Sequence, residues 1–524
     1  MKRKISLKLA FILTFIIGFV FTLLPYFSYD FGTLPGDLGD TRFNLYILEH
    51  FHQYLIGNVD SYWNATFMYP AHEVISLSDN LLGTAPFYSF FRFIGLPNVY
   101  AMQAWIILIT FFNFWASYKL IRWILNDKIS ALLGAFIFTF SIGLIAQMNH
   151  VQMFPRFAAP LAILFALMWM RSLNPKYFFI STLFFVYQLY CAIYLGFLMF
   201  VPWVIIILYS IIINRVKLLE QIKLKSYYLK YIFGILVNLA LTYALFAPYI
   251  RRSKSSDLHS FDEISSSLPS MFSYFSSSNG SYLWSWTKEF ATGENAYWDH
   301  YIFPGILTFI GFGFVIYLFS KQKQFITSNK SVYAMCLAGF LTFLIYLRVG
   351  DYSIYALIHK LPGFGAMRSL TRIINIELLF FGFFFAVLVY YLLKNTKRKF
   401  IAFISILVLL TIDNLVVPSN LLKVEISEIN RRHEQLIDKM KNIPKDKIVS
   451  YQPTLEEGSN ELIEHYQIDA MFAAQALQLK TINGYSGQAA LDFHKFWREP
   501  NDENRAYFLR HFPHIDEENI VVIE

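Results

Sequence analysis

The chain has 524 residues, of which 56% are hydrophobic, 19% aromatic and only 15% charged, and its mean hydropathy is +0.43. These values exclude a soluble globular domain and a disordered chain, and they put most of the length in a lipid bilayer. The net charge of +8 is not a nucleic-acid footprint: residues 418–524 hold 18 of the 36 acids and 12 of the 44 bases, about −6, which leaves about +14 on the remainder.

A helix needs about 20 mainly apolar residues to cross the hydrocarbon core. Apolar runs of about that length predict about eleven membrane helices, at 6–26, 100–122, 130–147, 155–171, 177–193, 195–213, 231–249, 302–320, 332–347, 374–393 and 400–417. The stretch 177–213 is read as two short helices that turn between Tyr190 and Tyr194; one long helix there would invert everything downstream. Lys2 to Lys4, Arg122 with Lys128, Arg171 with Lys176, Arg215 to Lys230, Lys321 with Lys323, and Lys394 to Lys399 then share one side. Cytoplasmic loops collect Lys and Arg, so the N-terminus is expected in the cytoplasm, with the first span a retained anchor. The expected architecture is an α-helical polytopic membrane domain over 1–417 and a small extracytoplasmic α/β domain over 418–524. Residues 27–98 form a long first external loop with interfacial helices, and 250–300 form a second large one.

The first external loop opens with LPGDLGD, which places Asp37 and Asp40 at a membrane boundary. Behind Asp40, Phe43, Ile47, Phe51 and Leu55 recur at helical spacing up to Gly57. The plain reading makes Asp40 the N-cap of that helix and Gly36 with Asp37 the preceding turn. The chemical reading is a carboxylate that deprotonates an acceptor hydroxyl, with a neighbour able to hold a divalent cation against a phosphate. Arg42, Glu49 and His50 close behind favour the second. Farther on, Asp79 and Asn80 read as caps for the amphipathic NLLGTAPFYSFF.

NHVQMFPR makes a tight external turn, so His150, Gln152 and Arg156 face the side of the acid pair and are candidate ligands of a phosphate or sugar hydroxyl. The Ser-rich run from Ser253 to Ser281 reads as a flexible external loop, and Glu294, Asp299 and His300 form a polar cluster before the eighth span. Arg348, Arg368 and Arg372 lie on the outer side against the positive-inside pattern. An arginine there wants an anion, which Asp351, the acidic tail or a lipid phosphate can supply. Cys191 and Cys336 fall in spans and read as small apolar side chains. None of the 12 histidines has HExxH or another metal spacing, so a metal site rests on Asp37 and Asp40, with His50 as a further donor.

In the tail, LLKVEISEINRRHEQLIDKMKNI and Asn460 to Leu477 have helical periodicity, while KIVSY and NIVVIE read as strands. NGYSG reads as a turn.

PGDLGD with Asp37 and Asp40 resembles the first external loop of the multi-span glycosyltransferases of the GT-C fold. YPAHEVISLSDN, NHVQMFPR, QLYCAIYLGF, IFPGILTFIGF, LPGFGAMRSLTRI and LKTINGYSG extend the resemblance, nearly over the full length, to bacterial members of that superfamily. The resemblance implies transfer of a sugar from a polyprenyl-phosphate-linked donor to an acceptor glycan, lipid or protein on the outer face of the cell membrane. It also implies that Asp37 or Asp40 is the base or metal-holding acid, without saying which, and it puts NGYSG in the external domain, where Asn483 and Tyr485 are candidates for gripping the acceptor. A flippase for lipid-linked saccharides is the alternative, but the charges lie in asymmetric external loops and no repeat is visible. A non-catalytic envelope assembly factor is a further alternative.

Overall fold

The computed structural model describes residues 7–253, 260–292, 297–454, 461–488 and 493–524. All eleven apolar stretches fold as helices, the first interrupted by a π-helical turn at Phe19–Leu23. Seven are long and apolar enough to cross a membrane. Four others, Pro175–Cys191, Ile306–Lys321, Lys330–Tyr346 and Lys399–Asp413, have 15 to 17 residues. The protein is thus a multi-pass membrane protein with some helices shorter than a full bilayer crossing. Local chemistry sets several helix ends. Asp127, Asn174 and Asn329 accept backbone N–H bonds at the starts of Lys128–Phe140, Pro175–Cys191 and Lys330–Tyr346. The break expected between Tyr190 and Tyr194 falls at Ala192, extended at φ −163° and ψ 117°.

Ile374–Leu393 is the central helix and is buried along nearly its whole length. It packs on Lys128–Phe140 through Gly134 and Gly382: a Cβ on Gly134 would sit 2.6 Å from the Gly382 carbonyl oxygen. Small residues permit this backbone approach, which in lipid takes the place of hydrophobic driving force. Phenylalanine fills the rest, as where Phe312 meets Phe340, Phe343, Phe381 and Phe384 at centroid distances of 5.2 to 5.8 Å.

The first external loop departs from expectation. The helix Asp40–Leu55 does not lie on a membrane surface; Thr41 through His52 are buried. Phe43 and Tyr46 pack on Tyr485 and Phe472 of the tail, Glu49 pairs with Arg92, and Asn44 bonds Gln152. The helix Ala85–Phe93 keeps Phe90, Phe93 and Ile94 exposed, as an interfacial helix would. In the Ser-rich run, Ser260 and Ser270 are N-caps of the short helices Phe261–Ser265 and Met271–Phe275, so this part is ordered by its serines.

The tail is tied to the first loop from the start. β1 (Thr33–Pro35) pairs antiparallel with β2 (Lys423–Glu425). The helices Ile426–Met440 and Ile463–Leu477 then flank a parallel sheet in which β3 (Ile448–Tyr451) lies between β4 (Lys480–Thr481) and β5 (Ile520–Ile523). Arg42, fully buried, fastens the two regions: it ion-pairs with Asp469 and donates to the carbonyls of His465 (2.8 Å) and Leu38 (2.6 Å). Arg432 joins the same Asp469 carboxylate.

NGYSG is not a turn. Asn483 holds the sheet edge instead: its side chain accepts from Tyr451 N–H (2.7 Å) and donates to the Tyr451 carbonyl (2.8 Å). The next residues therefore run along the first loop, where a Cβ on Gly484 would stand 2.6 Å from Met68.

Candidate functional site

Asp40 begins the helix that ends at Leu55, but its carboxylate does not cap it. Capping geometry falls to Gly39, and Asp37 Oδ1 accepts the Gly39 N–H at 3.0 Å. This turn needs Gly36, which sits at φ +100° with a would-be Cβ 2.0 Å from Thr41 Oγ1. Asp40 is thereby freed to face inward. Its Oδ1 accepts the Tyr485 hydroxyl at 2.7 Å and its Oδ2 meets His150 Nδ1 at 2.8 Å.

His150 links Asp40 to Arg372, whose Nη2 lies 3.1 Å from Nε2. A guanidinium only donates, so Nε2 accepts and the imidazole proton sits on Nδ1, pointing at Asp40. Trp298 stacks at a tilt on His150, with centroids 5.4 Å apart, and the Tyr194 ring lies 5.0 Å from the Arg372 guanidinium. Tyr194 also fixes the arginine loop, because its hydroxyl accepts the Ser369 N–H at 2.7 Å. Asp299 grips the Ser369 hydroxyl and accepts from Gln147 at 3.0 Å. Of the polar cluster before the eighth span, Asp299 therefore positions the loop between Arg368 and Arg372, and Glu294 lies outside the described residues.

Asp40, Gln152, Arg368, Arg372 and Tyr485 line one cavity of about 200 Å³, together with Asp79. Gln152 accepts from Asn44, which also bonds the Asp40 carbonyl. Arg368 is exposed, and the buried Nε of Arg372 has no protein acceptor. Two guanidinium groups thus offer donors to an anion in the cavity that holds a carboxylate.

Burial alone would raise the Asp40 carboxyl; the His150 bond, the Tyr485 hydroxyl and the Arg372 charge outweigh it and hold the group at about 2. Asp37 is pushed up, by burial first and then by the Asp40 charge. Asp79 is a third case. Its Oδ1 accepts the backbone N–H groups of Ile193 (2.6 Å) and Tyr194 (3.4 Å), yet burial wins and raises it to about 6.

The sequence grouped Asp37, Asp40, His150, Gln152, Arg156, Arg368 and Arg372. The structure joins Asp40, Gln152, Arg368 and Arg372 in one cavity, with His150 bonding two of them. Asp37 turns toward Gly39 beside the cavity, and Arg156 faces a different one. Asp79 caps a helix, as expected of it, but the helix is Ile193–Ile222 rather than the amphipathic one that follows it, and it lines the cavity as well. Tyr485 was legible only as part of LKTINGYSG, and nothing local announces that its hydroxyl reaches Asp40.

Among the described residues no three or more His, Cys, Asp or Glu side chains cluster as metal ligands do. Asp37 and Asp40 with His150 are the nearest approach. Both Asp40 oxygens and both His150 nitrogens already have partners, and one of those partners is a cation, so this donor set as arranged does not fit a divalent ion.

No protein-family model and no curated protein matches the chain. Solved structures do. The archaeal oligosaccharyltransferase AglB from Archaeoglobus fulgidus, in complex with an inhibitory peptide and a dolichol-phosphate, superposes at a TM-score of 0.51 with 11% identity, over 98% of this chain and 69% of that one. The A. fulgidus oligosaccharyltransferase in complex with Zn and sulfate gives 0.50 and 10%, over 99% and 68%. An arabinofuranosyltransferase, AftD from Mycobacteria, at a TM-score of 0.43, 12% identity and 85% and 29% coverage, is too loosely alike to bear on the site. The chain shares the fold of these oligosaccharyltransferases, as the resemblance read from its sequence implies.

Proposed function

We propose that this GT-C chain is a membrane glycosyltransferase that moves a sugar from a polyprenyl-phosphate-linked donor to an acceptor glycan, lipid or protein on the outer face of the cell membrane. In this reading the N-terminus is cytoplasmic and residues 418–524 form an extracytoplasmic domain. One observation carries the proposal: Asp40, Arg368 and Arg372 line a single cavity, so a carboxylate faces two guanidinium groups across the space of one phosphosugar.

Arg368 and Arg372 bind the donor phosphate. Asp40 accepts the proton of the acceptor as its nucleophilic atom bonds to the anomeric carbon. The bond from that carbon to the phosphate oxygen breaks, and the lipid phosphate leaves with its charge matched by the arginines. A single base on the face opposite the leaving group gives inversion. Of the two first-loop acids the proposal takes Asp40 as the base, a choice supported by the engagement of Asp37 in its own turn. That AglB is seen with a dolichol-phosphate and a peptide lends support to a lipid phosphate and an acceptor sharing such a fold.

The test is transfer from a panel of polyprenyl-phosphate-linked sugars by purified, folded Asp40→Asn and Asp37→Asn. Activity is expected to vanish in the first and persist in the second; full activity in both would falsify the assignment. A divalent cation on Asp37 and Asp40 requires Tyr485 or His150 to let go of Asp40. Transfer that survives EDTA leaves Asp40 as a base alone, whereas loss reversed by Mg²⁺ or Mn²⁺ assigns it to a metal.

A further inference from the structure

Arg156 lies at the N-terminal end of Ala158–Ser172, only 4% exposed. Its Nε and Nη1 are buried without any hydrogen-bond partner. One face of the guanidinium rests on Phe138, 4.8 Å from the ring centroid, but an aromatic face leaves the in-plane donors unsatisfied. Those donors belong to the wall of a cavity of about 50 Å³ between the helices, which shares no residue with the Asp40 cavity.

The lining contains no carboxylate. It does contain two further hydroxyls that are buried without partners, those of Tyr26 and Thr139. Arginine keeps its charge in proteins, and an isolated charge in an apolar interior is among the costliest groups a fold can hold. A counter-ion is what this arrangement lacks. In this measure a water needs about 10 to 15 Å³, so the cavity admits a body of halide size with a water or two, and is too small for a phosphosugar.

We infer that this cavity is a binding site for a small monovalent anion of the halide class, held by Arg156 with the Tyr26 and Thr139 hydroxyls as further donors. It stands behind the transfer site rather than in it. Asn375 lines the cavity and donates to the Arg372 carbonyl at 3.0 Å, and the carbonyl of Gln147, another lining residue, accepts the His150 N–H at 3.0 Å.

The experiment is thermal melting of the full chain in detergent, with sodium chloride or bromide replacing sodium gluconate at constant ionic strength. A bound anion stabilises the folded state in proportion to its occupancy, so the melting temperature is expected to rise saturably with either halide. Arg156→Met is expected to melt at the same temperature in every anion. Tyr26→Phe keeps the charge and removes one donor, and is expected to weaken half-saturation roughly tenfold. A wild-type melting temperature that ignores the anion, which is what a cavity filled by water alone gives, overturns the inference. So does an unaltered halide response in Arg156→Met. Should that variant not accumulate, Tyr26→Phe and Thr139→Val decide, since unchanged half-saturation in both is equally fatal.

Discussion

Asp40 and Asp79 line the same cavity, and the walls around them are built differently. On the Asp40 side, donors converge from three distant stretches of chain: His150, Tyr485 and, through His150, Arg372. On the Asp79 side, the recorded donors are two backbone N–H groups at the head of Ile193–Ile222. The same side chain therefore ends at about 2 on one wall and about 6 on the other. The proton affinity of each is set by how much charge its neighbours bring against a common burial penalty. Asp40 is an anion throughout the physiological range. Asp79 is the carboxyl of the cavity that titrates near neutrality.

The contrast can be broken experimentally, beginning with Asp40→Asn. Transfer is expected to fall about 10³-fold, within the range of a general base, with the melting temperature and detergent elution unchanged. Arg372→Met comes next, at about 10²-fold, because it removes a phosphate ligand and also releases His150; the separation of KM from kcat is the measurement, and both should suffer.

Asp79→Asn is expected to act through pH rather than through the maximum rate. The same group has a sign in stability. Its folded value lies above the unfolded one, near 3.9, so the native state holds the proton more tightly. Stability should fall as pH rises from about 4 to about 6, and Asp79→Asn should flatten that decline in a melting series. Asp40 has the opposite sign, with stability lost as pH falls below the unfolded value toward 2. The smallest effect belongs to Tyr485→Phe, roughly several-fold in rate, since one neutral donor is lost while His150 and the Arg372 charge remain.

Much of this was legible in the sequence, for reasons that differ by element. The apolar stretches and the break near Tyr190 to Tyr194 follow from composition over windows of about 20 residues, which the bilayer enforces. The acids of PGDLGD and the arginines of LPGFGAMRSLTRI stood out because charge on that side of the membrane needs a cause. The contents of NGYSG did not follow, because Asn-Gly marks a turn locally while Asn483 is claimed by strand β3 across 32 residues. Burial of Asp40–Leu55 escaped for a related reason. Its polar face looks like a water face until Arg42 is seen to meet Asp469, 427 residues away. Arg156 looked like a neighbour of His150 because six residues separate them. The short helical turn Val151–Met153 and the bend after it send it into another cavity.

The pairing of β1 with β2 and the reach of Tyr485 to Asp40 give the molecule a schedule. The acid is made 445 positions before the hydroxyl that completes its surroundings. All eleven apolar helices, and about two-thirds of the tail, are made before the cavity has its final wall. A chain released early can sit in the bilayer with its helices in order and still present Asp40 without Tyr485.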